Sequence, residues 1–106
     1  MDRSHRSFVA LDVPGAYTQV IDNKDESRFE LEEKGLLAWS DYRIRDGKYL
    51  LSHVEAEPPL RGTGAAGRLM QQIVDHARAN QLVLEPRCHY ARLWFQRHPE
   101  AVDVLD

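Results

Sequence analysis

The run Arg61-Gly62-Thr63-Gly64-Ala65-Ala66-Gly67 decides how this chain is read. It joins a segment of strand character to an amphipathic helical one, and most of its residues have little or no side chain. In the first turn of a helix the backbone N–H groups lack an intrahelical acceptor, and the aligned peptide dipoles leave that end positive. A phosphate or pyrophosphate suits such a place if nothing beyond Cβ blocks it, and glycine and alanine meet that condition. Arg61 can add a charge-assisted contact. Glycine-rich turns also serve helix–strand packing, and both readings stand at this point. No lysine follows the glycines as a P-loop would require, and we set the run apart from the dinucleotide-binding fingerprint as well.

Downstream of the run, the spacing predicts a helix over 64–79. Leu69, Met70, Ile73, Val74 and Ala77 share one side, with Arg68, Gln72, Asp75 and Arg78 on the other. Asn80 suits the left-handed position that closes a helix. Leu82-Val83-Leu84 within 81–85 reads as an inner strand covered on both faces. A last helix over 90–97 stops at His98, because the residue before Pro99 disfavours the α region.

Upstream, residues 28–32 alternate polar and apolar, the period-two pattern of a half-buried strand. Lys34-Gly35 turns the chain, 36–45 runs back, and Asp46-Gly47 is a hairpin signal leading to a strand over 49–56. Pro58-Pro59 ends that strand. A short strand over 18–21 precedes the turn-prone Asp22-Asn23-Lys24-Asp25. Residues 1–15 read as a tail or lead-in, and 16–106 as a single domain. The order gives an α+β fold: a mixed, mostly antiparallel sheet with one parallel strand–helix–strand crossover and helices on its faces.

The totals agree with one small globular domain. The 106 residues are too few for two cores, and 42% hydrophobic with 29% charged residues is a globular balance. A net charge of −3 with interspersed signs gives no basic face, so no nucleic-acid partner is expected. No stretch approaches the roughly 20 apolar residues of a membrane span. Cys88 is the sole cysteine, so no internal disulfide forms. With no apolar leader near Met1, the expected setting is the cytoplasm. The histidines lack metal-ligand spacing, and no metal is expected.

The spacing Arg/Gln-x-x-Gly-x-Gly/Ala, met by Arg61, Gly64 and Ala66, resembles the acetyl-CoA signature of the Gcn5-related N-acetyltransferase superfamily. The flanks extend the likeness. His53-Val54-Glu55-Ala56 before Pro58-Pro59-Leu60-Arg61-Gly62, then Pro86-Arg87-Cys88-His89-Tyr90, then Arg97-His98-Pro99-Glu100, are similar to small YjdJ-type members, and Arg28-Phe29-Glu30-Leu31 fits too. The resemblance implies a minimal acyl-CoA N-acyltransferase fold with a V-shaped opening between two diverging parallel strands, 49–56 and 81–85. It implies acetyl-CoA as donor, its pantetheine arm pairing with backbone near Glu55 and Ala56. Its pyrophosphate would rest on Gly62, Thr63, Gly64, Ala65 and Ala66, with Arg61 beside them. A backbone N–H near Ala56 would then stabilise the oxyanion.

Amine acetylation needs a deprotonated nucleophile and a stabilised or protonated thiolate. Glu55 is the first candidate base, against the alternative of a solvent-facing strand glutamate. His53, two residues away on the same face, is a second, acting directly or through a water, unless it is structural. Cys88 falls at the end of the inner strand and just before the last helix, between Arg87 and His89, a setting that suits a reactive sulfur or a thioester-lining group; the alternative is a buried small hydrophobe. Tyr90 can protonate the leaving thiolate or simply pack. The expected function is acetyl transfer from acetyl-CoA to an unidentified amine, a protein amine included. The alternatives are a non-catalytic acyl-CoA-binding or protein-interaction module on the same fold, and a nucleotide-binding protein that uses the loop for another phosphate.

Overall fold

Alternation along Arg28-Phe29-Glu30-Leu31 puts Phe29 and Leu31 on one side of a strand, and both are buried in the computed structural model, which describes residues 19–106. The lead-in at 1–15 and the start of the strand expected at Thr18 lie outside those residues. Among the described residues five strands pair in chain order: β1 (Ile21–Asn23), β2 (Arg28–Glu33), β3 (Leu36–Arg45), β4 (Lys48–Ala56) and β5 (Val83–Pro86). The first four are antiparallel, and β4 with β5 is parallel. The crossover between the parallel pair is helix α1 (Ala65–Asn80), and a second helix, α2 (His89–Gln96), follows β5.

The turns form where the sequence allows positive φ. Asp46 and Gly47 sit at φ 54° and 77°, the paired left-handed geometry that matches strand twist in a two-residue hairpin. The first strand departs from expectation. It runs over Ile21–Asn23 rather than 18–21, and the turn comes at 24–27. Asp22 and Asn23 are held extended by tertiary bonds: the Tyr42 hydroxyl donates to Asp22 at 2.5 Å, and Asn23 Nδ2 to Glu30 at 3.0 Å. Pairing with β2 and β3 thus moves the turn downstream, where Asn23 Oδ1 accepts from the Glu26 N–H at 3.1 Å.

One apolar cluster joins Phe29, Leu31, Ala38, Tyr42, Leu51 and Leu84 of the sheet to the predicted face of α1, where Leu69, Met70, Ile73 and Val74 are fully buried. From α2 it takes Ala91, Trp94 and Phe95. Each large side chain so buried contributes about 1.5–3 kcal/mol. The end of α1 differs from expectation: Asn80 stays helical, its side chain donating to the His76 carbonyl at 2.9 Å, and Gln81 takes the left-handed position at φ 57°. A second correction concerns β5, which is an edge strand, not an inner one. Among the described residues it pairs with β4 alone, with an isolated bridge, Leu84 to Leu105, beyond. Its apolar run reports burial by the shared core, which a neighbouring strand is not needed to provide.

Short 3₁₀ turns, Pro58–Leu60 and Pro99–Val104, bury Leu60, Ala101 and Val104. Among the described residues no helix is long and apolar enough to cross a membrane.

Candidate functional site

The site begins where β4 bends. Asp41 faces His53 and Tyr42 faces Leu51, so Ser52 has no partner across from it. Such a bulge kinks its strand. Parallel pairing stops at the same point, with Leu51 opposite Pro86. The Leu51 carbonyl closes the fork, accepting from the N–H of Arg87 at 2.9 Å and of Cys88 at 3.1 Å. Beyond it, among the described residues, positions 52–56 of β4 have no strand on the side away from β3.

Register tells which groups face that opening. In an antiparallel ladder, alternate residues turn both backbone groups toward the partner strand or both away. Glu57 N–H donates to Leu37 at 2.9 Å, and Glu55 lies opposite Trp39, so positions 55 and 57 turn to β3. Val54 and Ala56 therefore turn to the opening, and the Ala56 carbonyl there accepts from Arg61 Nε at 3.0 Å. This corrects the expectation for Glu55, whose backbone is committed to β3; the groups free to pair with a ligand are those of Val54 and the N–H of Ala56.

The Glu55 side chain has two partners. Its Oε1 lies 3.0 Å from His53 Nε2, and its Oε2 accepts from Arg61 Nη2 at 2.9 Å. About a third of Glu55 is exposed, and more than half of His53 and Arg61. The three form a chain from β4 to the turn. Arg61 is thus engaged with its own strand through both Nε and Nη2.

The turn itself is built on Gly62 and Gly64, at φ 79° and 88°. Thr63 is exposed and closes the turn back on Leu60, its N–H and hydroxyl both donating to the Leu60 carbonyl at 3.2 and 2.5 Å. Helix α1 starts at Ala65 with no side-chain cap, and the bond from Arg68 N–H to Gly64 closes its first turn at 3.1 Å. Among the described residues, the N–H groups of Ala65, Ala66 and Gly67 have no acceptor.

Of the sequence-predicted residues, Glu55, Ala56, Arg61, Gly62, Gly64, Ala65 and Ala66 line one cavity of about 570 Å³. His53 is not on its wall but touches Glu55, which is, and Thr63, exposed, is not among the lining residues. Cys88 is not on its wall: it caps α2, its sulfur accepting from Ala91 N–H at 3.5 Å, and packs half-buried against the core. Sequence reasoning missed Val54, Leu60 and Gly67 as lining residues. It also missed a second hollow of about 450 Å³ between α1 and α2, which shares Gly64, Gly67 and Tyr90 with the first. Tyr90, Leu93, Trp94 and Arg97 line that hollow at helical spacing, a pattern visible in the sequence. A Cβ on Gly67 would lie 3.9 Å from the Tyr90 hydroxyl and 4.0 Å from Trp94 Nε1, ordinary van der Waals contact, so α2 passes beside α1 here with room for a methyl group. Burial pushes the Tyr90 phenol above its usual range, partly offset by Arg97.

Gly62, Gly64 and Gly67 do have G-x-G-x-x-G spacing. The surrounding sheet excludes the dinucleotide reading, because that motif belongs to an open parallel sheet and this one is antiparallel but for its last pair. Among the described residues no three His, Cys, Asp or Glu side chains gather as a metal site would need.

Fold and opening together define a small mixed α+β protein in which β4, running on past the end of β5, shares one cavity with a bare helix N-terminus. Residues 28–104 match the family model described as GCN5-related N-acetyl-transferase, and the chain belongs to that family. A search of curated proteins finds no match.

Proposed function

We propose that the protein is an N-acetyltransferase that takes an acetyl group from acetyl-CoA and gives it to an amine, protein amines included. The observation that carries this reading is the continuity of one cavity from the unpaired backbone of Val54 and Ala56 to the free N–H groups opening α1. A pantetheine amide arm needs such a strand edge, and a pyrophosphate needs such a helix end. Membership of the acetyltransferase family supports the same assignment.

In this reading the amine nitrogen attacks the thioester carbon, and the oxyanion that forms accepts from the Ala56 N–H. Glu55 takes the proton lost by the amine, directly or through a water, with His53 as its hydrogen-bonded neighbour. As the C–S bond breaks, the thiolate is protonated, and Tyr90, which burial keeps protonated, is the available donor. Arg61 orients Glu55 and ties the turn to β4. Cys88 serves as a helix cap and takes no part in transfer.

Radiolabelled acetyl transfer and CoA titration test the proposal together. Glu55→Gln is expected to cut turnover about 100-fold or more while CoA affinity stays near wild type. The second reading, a non-catalytic acyl-CoA module, is favoured by one feature: the Glu55 carboxylate is already paired with Arg61. CoA binding without transfer to any amine would establish that alternative. Stabilisation by ATP but not CoA would point to a nucleotide site.

A further inference from the structure

The geometry points to Glu33 and Arg68 as a positioning pair that holds the glycine turn in its ligand-ready shape. The inference rests on the turn being the pyrophosphate site. Two left-handed glycines either side of Thr63, Gly62 and Gly64, give the turn access to many shapes, and glycine loses more entropy than any other residue on being fixed. Something outside the turn must therefore hold it.

Arg68 does so from one helical turn downstream. Its Nη1 donates to the Thr63 carbonyl at 3.1 Å and crosses so close over Gly64 that a Cβ there would lie 2.9 Å from it. The other edge of the guanidinium makes a bidentate pair with Glu33, Nε to Oε2 at 2.8 Å and Nη2 to Oε1 at 2.9 Å. Glu33 ends β2, where it pairs with Leu36 across the hairpin, so its carboxylate is fixed to the sheet. The planar fork spans both partners at once, which a lysine ammonium on a flexible stem cannot do. Arg68 is thus engaged on both edges, and it acts on a ligand through the turn.

The test is the sign of one change. If Arg68 served as a direct phosphate ligand, Glu33→Ala would free it and tighten CoA binding. As a positioning pair, loss of Glu33 weakens CoA binding about fivefold, the worth of a well-formed surface ion pair. The KM for acetyl-CoA rises with kcat unchanged, and turnover of S-acetyl-pantetheine, which lacks the pyrophosphate, stays as in wild type. Arg68→Lys moves binding in the same direction. Hydrogen exchange of residues 62–67 in the unliganded protein accelerates in both variants. Tighter or unchanged CoA binding by Glu33→Ala would overturn the inference, as would an equal loss on S-acetyl-pantetheine. If wild-type protein bound no CoA, the proposed function would fall, and the exchange rates alone would decide whether the pair holds the turn.

Discussion

Single residues carry the turn, and the two left-handed glycines do so for different reasons. At Gly62 a Cβ would meet nothing within 4 Å, so Gly62→Ala costs only the left-handed strain, about 1–2 kcal/mol. At Gly64 the same strain is joined by a clash with the Arg68 guanidinium. Because Glu33 and the Thr63 carbonyl pin that guanidinium, Gly64→Ala is expected to be the more destabilising of the two and to loosen the hold on Thr63. Urea denaturation of both variants checks the order; equal losses would mean that Arg68 moves aside freely. The glycines were legible because a residue without a side chain leaves the backbone open to a ligand; their left-handed angles were not, since Lys34 and Gln81 also take positive φ. The orientation of the Val54 and Ala56 backbone was not, since it depends on register with β3 and not on either side chain.

At the scale of elements, what local chemistry dictates was readable and what long-range pairing dictates was not. The hairpin at Asp46-Gly47 and the apolar face of α1 both follow from neighbours a few residues apart. The bulge at Ser52 exists only against Tyr42, and no glycine or proline marks it. The edge position of β5 likewise depends on which strands lie beside it. Helix α2 shows how context reassigns a residue. Cys88 attracts attention as a thiol, yet its place is the cap, φ −84° and ψ 160°, with Ala91 N–H on its sulfur. A hydroxyl is the better cap acceptor. Cys88→Ser is expected to equal or exceed wild type in stability and to keep its turnover, while Cys88→Ala loses about 0.5 kcal/mol. Thermal melts beside acetyl-transfer rates measure both, and a collapse of turnover in Cys88→Ser would return the sulfur to the chemistry.

The whole molecule is tied together through α1, and the ties respond to pH. At its start, Arg68 holds Glu33 of the sheet; at its end, Arg78 holds Asp103 of the C-terminal 3₁₀ turn, with bonds of 2.8 and 2.9 Å. Hydrogen bonds from the two guanidiniums keep both carboxyls below their usual range. A carboxylate so depressed binds its proton more weakly when folded than when unfolded, so its stabilisation is present above the unfolded value and lost as pH falls through the folded one. Tyr42 has the opposite sign. Burial first, then its hydrogen bond to Asp22, pushes the phenol well above its ordinary value. Its contribution is full below that ordinary value and lost as pH rises through the folded one. Stability is therefore expected to form a plateau around neutral pH, declining on the acid side below about pH 4 and on the alkaline side above about pH 10. Glu33→Gln combined with Asp103→Asn should flatten the acid limb alone, and Tyr42→Phe the alkaline limb alone. Urea midpoints taken across the pH range test this separation; if the acid-side variant altered the alkaline limb equally, the ties would be acting through the fold as a whole and not through their own protons.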